Sequence, residues 1–173
     1  MMSLSTMLRI CTAVVVALAL WMPLAAQDRL AVELKQYQQE TDPVRKARAL
    51  AKLGDDQIAL ARKQLQDEED VAALHTLEQY RDEVQQTAAG LKATGVDAEK
   101  KPAGFKELQI SLREIIRRMD DLILTVPVDK RPFFHEVRSD LAKTENDLIG
   151  ALFPRQPDQD LRKTNPGGVP CAP

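Results

Sequence analysis

The sequence predicts an all-α protein: a four-helix bundle of the up-down type, preceded by a leader segment and one short helix and followed by a flexible tail. Three observations point there. Beyond Gln27 the strong helix formers Ala, Leu, Glu, Gln, Lys and Arg dominate, and only 4% of the chain is aromatic, a composition that favours helix on intrinsic propensity. Apolar residues recur at spacings of three and four, which gathers them on one face of a helix and leaves the charges on the other. Proline, glycine and short acidic side chains fall between these stripes, where helix ends need them.

The leader comes first. Arg9 is the only charge in the opening stretch, and it precedes an apolar run from Ile10 to Leu20 broken only by Cys11 and Thr12. Trp21, Met22, Pro23 and the small pair Ala25-Ala26 follow, ahead of polar Gln27-Asp28. A positive start, an apolar core of about 7–15 residues and a small-residue exit form a secretory signal peptide. We therefore divide the chain into a signal peptide (1–26), a helical bundle domain (27–154) and a Pro/Gly-rich tail (155–173), and expect a periplasmic or extracellular protein. The run is short for a membrane span, which needs about 20 apolar residues. The competing reading is an uncleaved anchor, and Met7 is an alternative start. Cys11 stands at the beginning of the apolar run, behind Arg9, so it does not read as a lipid acceptor. Cleavage near Ala26 would leave Cys171 as the single cysteine, with no intramolecular disulfide to help the fold.

The short helix runs from about Asp28 to Gln39, with Leu30, Leu34 and Tyr37 on one side, and is expected to cover one end of the bundle. Asp42-Pro43 reads as an N-cap followed by proline at the first helical position. Val44, Ala47, Ala51, Gly54, Ile58, Ala61 and Leu65 then keep one phase, widened by Leu50, Leu53 and Leu60. That favours a continuous helix from Val44 to Gln66, although an interior glycine costs about 0.5–1 kcal/mol relative to alanine. At Asp67-Glu68-Glu69-Asp70 the phase breaks: apolar residues resume at Val71, Leu74 and Leu77, so a tight turn is expected, with Asp67 as the cap. That helix carries Leu74, Leu77, Val84, Ala88 and Leu91 and ends at Gly95, a residue suited to the left-handed conformation. Pro102 is placed at the start of the following helix, whose stripe is Phe105, Leu108, Leu112, Ile115, Met119, Leu122 and Val126, flanked by Ile116 and Ile123, and which Pro127 stops. Asp129 and Pro132 open the last helix, with Phe134, Val137, Leu141, Leu148 and Leu152 on its stripe and Pro154 at its close. Short connections make mostly antiparallel neighbours the expected packing. Beyond Pro154 little remains to bury, and the segment reads as a flexible tail.

Chemistry is sparse. The chain holds 24 Lys and Arg against 26 Asp and Glu, for a net charge of −2, and lacks the basic excess of a nucleic-acid binder. His75 has Glu78 one turn on, the reverse of the Glu-x-x-His order of di-iron bundles and without a second copy. His135-Glu136 begins like the zinc-protease motif, but Arg138 stands where the second histidine is required. Ser111, Ser139, Thr125 and Thr144 have no histidine nearby for nucleophilic activation. No Cys-x-x-Cys-His attaches a haem, and Met119 lies on a core stripe where methionine is filler. No catalytic, cofactor-binding or metal-binding residue is assigned. Arg113, Arg117, Arg118, Lys100, Lys101 and Lys106 form a possible basic patch, but Glu107, Glu114, Asp120 and Asp121 share its turns and favour a salt-bridge network. The loop from Thr94 to Phe105 is long for a helix–helix connection. Its Lys100 and Lys101 are the candidate partner-binding residues, and its plainer reading is a crossing between helix ends.

Two resemblances bear on function. Leu53-Gly54, Ala61 and Ala73 fall at characteristic positions of tetratricopeptide repeats, but Gln66 and Glu78 depart from the pattern and no second copy follows at a period near 34 residues. The stretches Leu91-Lys92-Ala93-Thr94-Gly95, Lys100-Lys101-Pro102-Ala103-Gly104-Phe105-Lys106-Glu107-Leu108, Arg117-Arg118-Met119-Asp120-Asp121-Leu122-Ile123-Leu124 and Arg131-Pro132-Phe133-Phe134 resemble segments of uncharacterised secreted bacterial helical proteins. That resemblance spans about Val44 to Pro154 and implies an exported bacterial bundle with no known activity. The expected function is that of an exported, non-enzymatic helical bundle acting by protein interaction. A repeat-like adaptor gripping a peptide, or a metal- or cofactor-binding bundle, is the alternative. Nucleic acid is not expected as a partner, nor a membrane once the signal is removed; the oligomeric state is left open.

Overall fold

The computed structural model describes residues 24–154, which form five helices and no strand. These are α1 (Leu24–Gln39), α2 (Pro43–Gln66), α3 (Asp70–Ala93), α4 (Phe105–Thr125) and α5 (Arg131–Leu152). The leader up to residue 23, the tail from residue 155, and both cysteines lie outside the described residues. Ala25 and Ala26, where cleavage is expected, fall within the first turn of α1.

The all-α bundle is as the stripes predict. Leu50, Leu53, Ile58 and Ala61 from α2, Leu77, Val84 and Leu91 from α3, Leu108, Leu112, Ile115, Met119 and Leu122 from α4, and Phe134, Val137, Leu141 and Leu148 from α5 fill one core. Successive helices alternate in direction, but the square they form does not follow chain order. Packing runs α2–α3–α5–α4 and back to α2, while α3 and α4 barely meet and α2 and α5 do not. Ion pairs fix the directions. Arg48–Glu107 and Arg118–Asp55 advance together along α2 and α4, and Lys130–Asp70 and Lys92–Asp147 mark the start and end of α3 beside those of α5. So α2 lies parallel to α4 and α3 parallel to α5, and of the four pairs of the square only α2–α3 and α4–α5 are antiparallel.

The expectation of mostly antiparallel neighbours is thereby corrected, and the connection from Thr94 to Gly104 is the reason. It crosses the diagonal of the bundle end, pinned by buried Ala98 and by Gly104. Gly104 has φ 85°, and a Cβ there would meet Leu91 Cδ2 at 2.8 Å and Val44 Cα at 3.3 Å. The chain is thus pressed between the last turn of α3 and the first of α2, and α4 starts beside α2. Pro102 belongs to this crossing and does not open the helix. The first turn of α4 is closed instead by Glu107, whose Oε2 accepts the Gly104 N–H at 2.6 Å. Burial raises the Glu107 carboxyl, but backbone N–H donors and Arg48 outweigh it and hold it below the ordinary value.

α2 continues through Gly54, as the phase of its stripe requires. Asp42 caps it by accepting the Arg45 N–H at 2.8 Å. The tight turn after α2 falls where the phase of the stripe breaks. Asp67 is the C-cap of α2, and Glu68 takes φ 63°, the left-handed conformation usually given to glycine. The Glu68 N–H reaches Leu65 O and the Glu69 N–H reaches Gln64 O, so two end carbonyls of α2 are satisfied. Glu69 then precedes α3 without a side-chain cap. Gly95 makes the analogous left-handed stop after α3. The buried face of α3 follows Ala73, Leu77, Tyr80, Val84 and Leu91, which turns Val71 off the core and into solvent.

α1 does not cover the bundle end. It lies antiparallel along α2, with Leu30 and Leu34 against the core, and Tyr37 extends to α3.

Candidate interaction surface

Two regions stand out from the ordinary dress of a bundle: a polar layer under α1, and an apolar end.

The polar layer begins with Tyr37, 2% exposed, whose hydroxyl donates to Glu83 O at 3.0 Å and stands 2.9 Å from Thr87 Oγ1. Glu83 is buried on α3. Its Oε2 accepts from Gln57 Nε2 at 3.1 Å and its Oε1 from Gln79 Nε2 at 3.0 Å. Neutral amides stabilise a buried carboxylate less than a cation would, and burial raises the Glu83 carboxyl above the ordinary range despite both bonds. Gln57 Oε1 and the Tyr80 hydroxyl are buried without a hydrogen-bond partner; Ser111 lies close to Tyr80 without completing a bond of good geometry. Further out, Arg29 Nε stands 3.1 Å from Glu33 Oε1 and 3.4 Å from Asp56 Oδ2. Lys46 caps the layer, its Nζ 4.8 Å from the centre of the Tyr37 ring. Apart from Tyr37, sequence periodicity did not single these residues out. The available signal was the long step from Leu77 to Val84 on the α3 stripe, which Tyr80 fills.

The apolar end is formed where α4 stops and α3 and α5 start. Val71 (79% exposed), Leu124 (71%), Val128 (74%) and Phe133 (55%) all sit there. The backbone beneath them is firmly held. Lys130 Nζ reaches Asp70 Oδ2 at 2.6 Å, tying the α4–α5 turn to α3. Arg131 donates to Val126 O at 2.9 Å and Leu124 O at 3.0 Å, satisfying the end of α4. Leu124 and Phe133 are readable in the sequence as apolar residues off their helix stripes.

The residues singled out in the sequence are scattered. Lys100 and Lys101 are both exposed on the diagonal crossing, and Lys100 Nζ pairs with Asp97 at 3.2 Å. Arg113, Arg117 and Arg118 enter a salt-bridge network with Glu145, Glu114 and Asp55. His75 and His135 are exposed on α3 and α5. Among the described residues no three His, Cys, Asp or Glu side chains converge to hold a metal ion, and no helix is long and apolar enough to cross a membrane. No family model matches the chain, and neither a curated protein nor a solved structure matches it.

Proposed function

We propose that the protein is exported to the periplasm or the cell exterior and acts there as a non-enzymatic bundle that binds another protein through its apolar end. Export is supported by the sequence alone, from Arg9 through the apolar run to Ala26, and by the resemblance to secreted bacterial helical proteins. Binding is supported by the four large apolar side chains at one end of the bundle. Single exposed apolar residues are ordinary, but several at one site on a well-tied backbone mark a contact surface. Aromatic Phe133 is the kind of side chain that anchors such contacts.

Two experiments test this reading. Mass spectrometry of the exported protein should find an N-terminus near Gln27; a chain that stays in the cytoplasm with its leader contradicts export. Crosslinked pulldown from an envelope extract should recover a reproducible partner that is lost when Leu124, Val128 and Phe133 are all replaced by serine. Replacing Lys100 and Lys101 with glutamate should leave that partner in place. Loss with the lysine variant alone would move the contact to the crossing loop, and no reproducible partner would remove the proposal.

A further inference from the structure

α1 is joined to the bundle by an unusual contact. Glu33 on α1 and Asp56 on α2 face each other, and each keeps one buried oxygen, Glu33 Oε2 and Asp56 Oδ2, that completes no hydrogen bond, although Arg29 Nε stands 3.4 Å from Asp56 Oδ2. Among the described residues the cation paired with both is Arg29, which reaches the two carboxylates through a single nitrogen and is mostly exposed, so solvent screens it. Two carboxylates in contact cannot both be comfortably ionised, whereas a single proton between them supplies the donor that both orphan oxygens lack.

The rest of the surroundings is mixed. Asp55, beside Asp56 on α2, is engaged by Arg118 of α4. Arg45, Arg48 and Lys52 line the groove beside Glu33, and Arg48 is paired with Glu107. On α3 the buried acid is Glu83, with Asp82 adding to its negative field and Lys46 opposing it. Tyr37 from α1 rests on the backbone of that same Glu83. Among the described side chains of α1 Tyr37 is the one that is fully buried, so the electrostatics of this contact weigh heavily in its docking.

We propose that α1 is a proton-responsive clasp, closed while Glu33 and Asp56 share one proton and loosened when both carboxylates are ionised. Burial, then contact with Glu33, raises the Asp56 carboxyl, and burial raises Glu83 in the same direction. A group that binds its proton more tightly in the docked state stabilises docking at low pH, and that stabilisation is lost as pH rises through its raised value. Loosening uncovers Leu30, Leu34 and Tyr37, and so adds apolar surface to the protein in neutral or alkaline surroundings.

Amide hydrogen exchange of residues 30–39, corrected for the intrinsic effect of pH and referred to α4 amides, reads the clasp directly. Protection at pH 5 should exceed that at pH 8 severalfold. Glu33→Gln places a permanent donor beside Asp56 and should hold α1 at the acid level of protection at both pH values. Equal or lower protection at pH 5, or an unchanged pH dependence in Glu33→Gln, overturns the proposal. Should that variant fold poorly, carboxyl-carbon NMR titration of the unaltered protein decides. At least one of the pair titrating above the ordinary range supports the clasp, and both titrating at or below it overturns it.

Discussion

Gly54 and Tyr80 occupy one shared space. A Cβ on Gly54 would lie 2.8 Å from the Tyr80 hydroxyl oxygen and 3.0 Å from its ring. The helix interior accepts glycine because the neighbouring helix lays a fully buried tyrosine across it. Gly54→Ala should therefore lower stability by about 1–3 kcal/mol through overpacking, outweighing the alanine's better helix propensity. Tyr80→Phe, which removes an unpartnered hydroxyl, should be near neutral alone and should recover part of the loss in the double variant. Urea midpoints of the four proteins test this, and a more stable Gly54→Ala would contradict it.

Glu68 holds a left-handed backbone at φ 63°, which costs a side-chain-bearing residue about 1–2 kcal/mol. Glu68→Gly should raise stability by about 1 kcal/mol once the glycine's greater unfolded-state freedom is subtracted, read as a higher urea midpoint. Gly104→Ala should do the opposite, because φ 85° there is combined with backbone contact to Val44. A destabilising Glu68→Gly would show that the turn is held otherwise than described.

Tyr37→Phe deletes the hydroxyl that joins α1 to Glu83 O and Thr87. The Thr87 hydroxyl is left buried, so the loss should be about 1–3 kcal/mol. Exchange protection should fall first in residues 30–39, with α4 and α5 little changed. Uniform loss across all five helices would mean that α1 is not a separable element.

The acids of the bundle pull stability in opposite directions with pH. Glu83 is raised by burial, so its contribution favours the fold below the ordinary glutamate range and is lost as pH climbs through its raised value. Glu107 is lowered, so its contribution is present above that range and is lost as pH falls. Thermal unfolding of Glu83→Gln should show a gain in Tm at pH 8 relative to pH 5, and Glu107→Gln a loss in Tm that is larger at pH 8 than at pH 4. Parallel shifts in both variants would contradict the assignment.

The helices themselves were legible because three/four spacing records a buried face directly, and it survived even the glycine at position 54. The order of helices around the square was not. It depends on how the chain between Gly95 and Phe105 crosses the bundle end, and the deciding contact, Gly104 against Leu91 and Val44, leaves no periodic trace. The place of the turn at Glu68 was legible from the break in phase, but its conformation was not: a left-handed residue is expected to be glycine, and here it is a glutamate, with the Glu68 and Glu69 N–H groups bonded to Leu65 and Gln64. The polar layer was hidden because Glu83, Gln57 and Thr87 look like solvated residues until α1 is laid over them. Of the interaction surface, the sequence shows only isolated apolar residues off their stripes, and the parallel packing of α3 with α5 gathers Val71 with Phe133 at one end.

Site-directed photocrosslinking in living cells tests most directly the proposal that the protein is exported and binds a partner through this end. A photoreactive residue at Phe133 should give a discrete, reproducible protein adduct in the cell envelope, and the same residue at Lys101 should give none. An adduct from Lys101 with none from Phe133, or no adduct from Phe133 at all, would contradict the account.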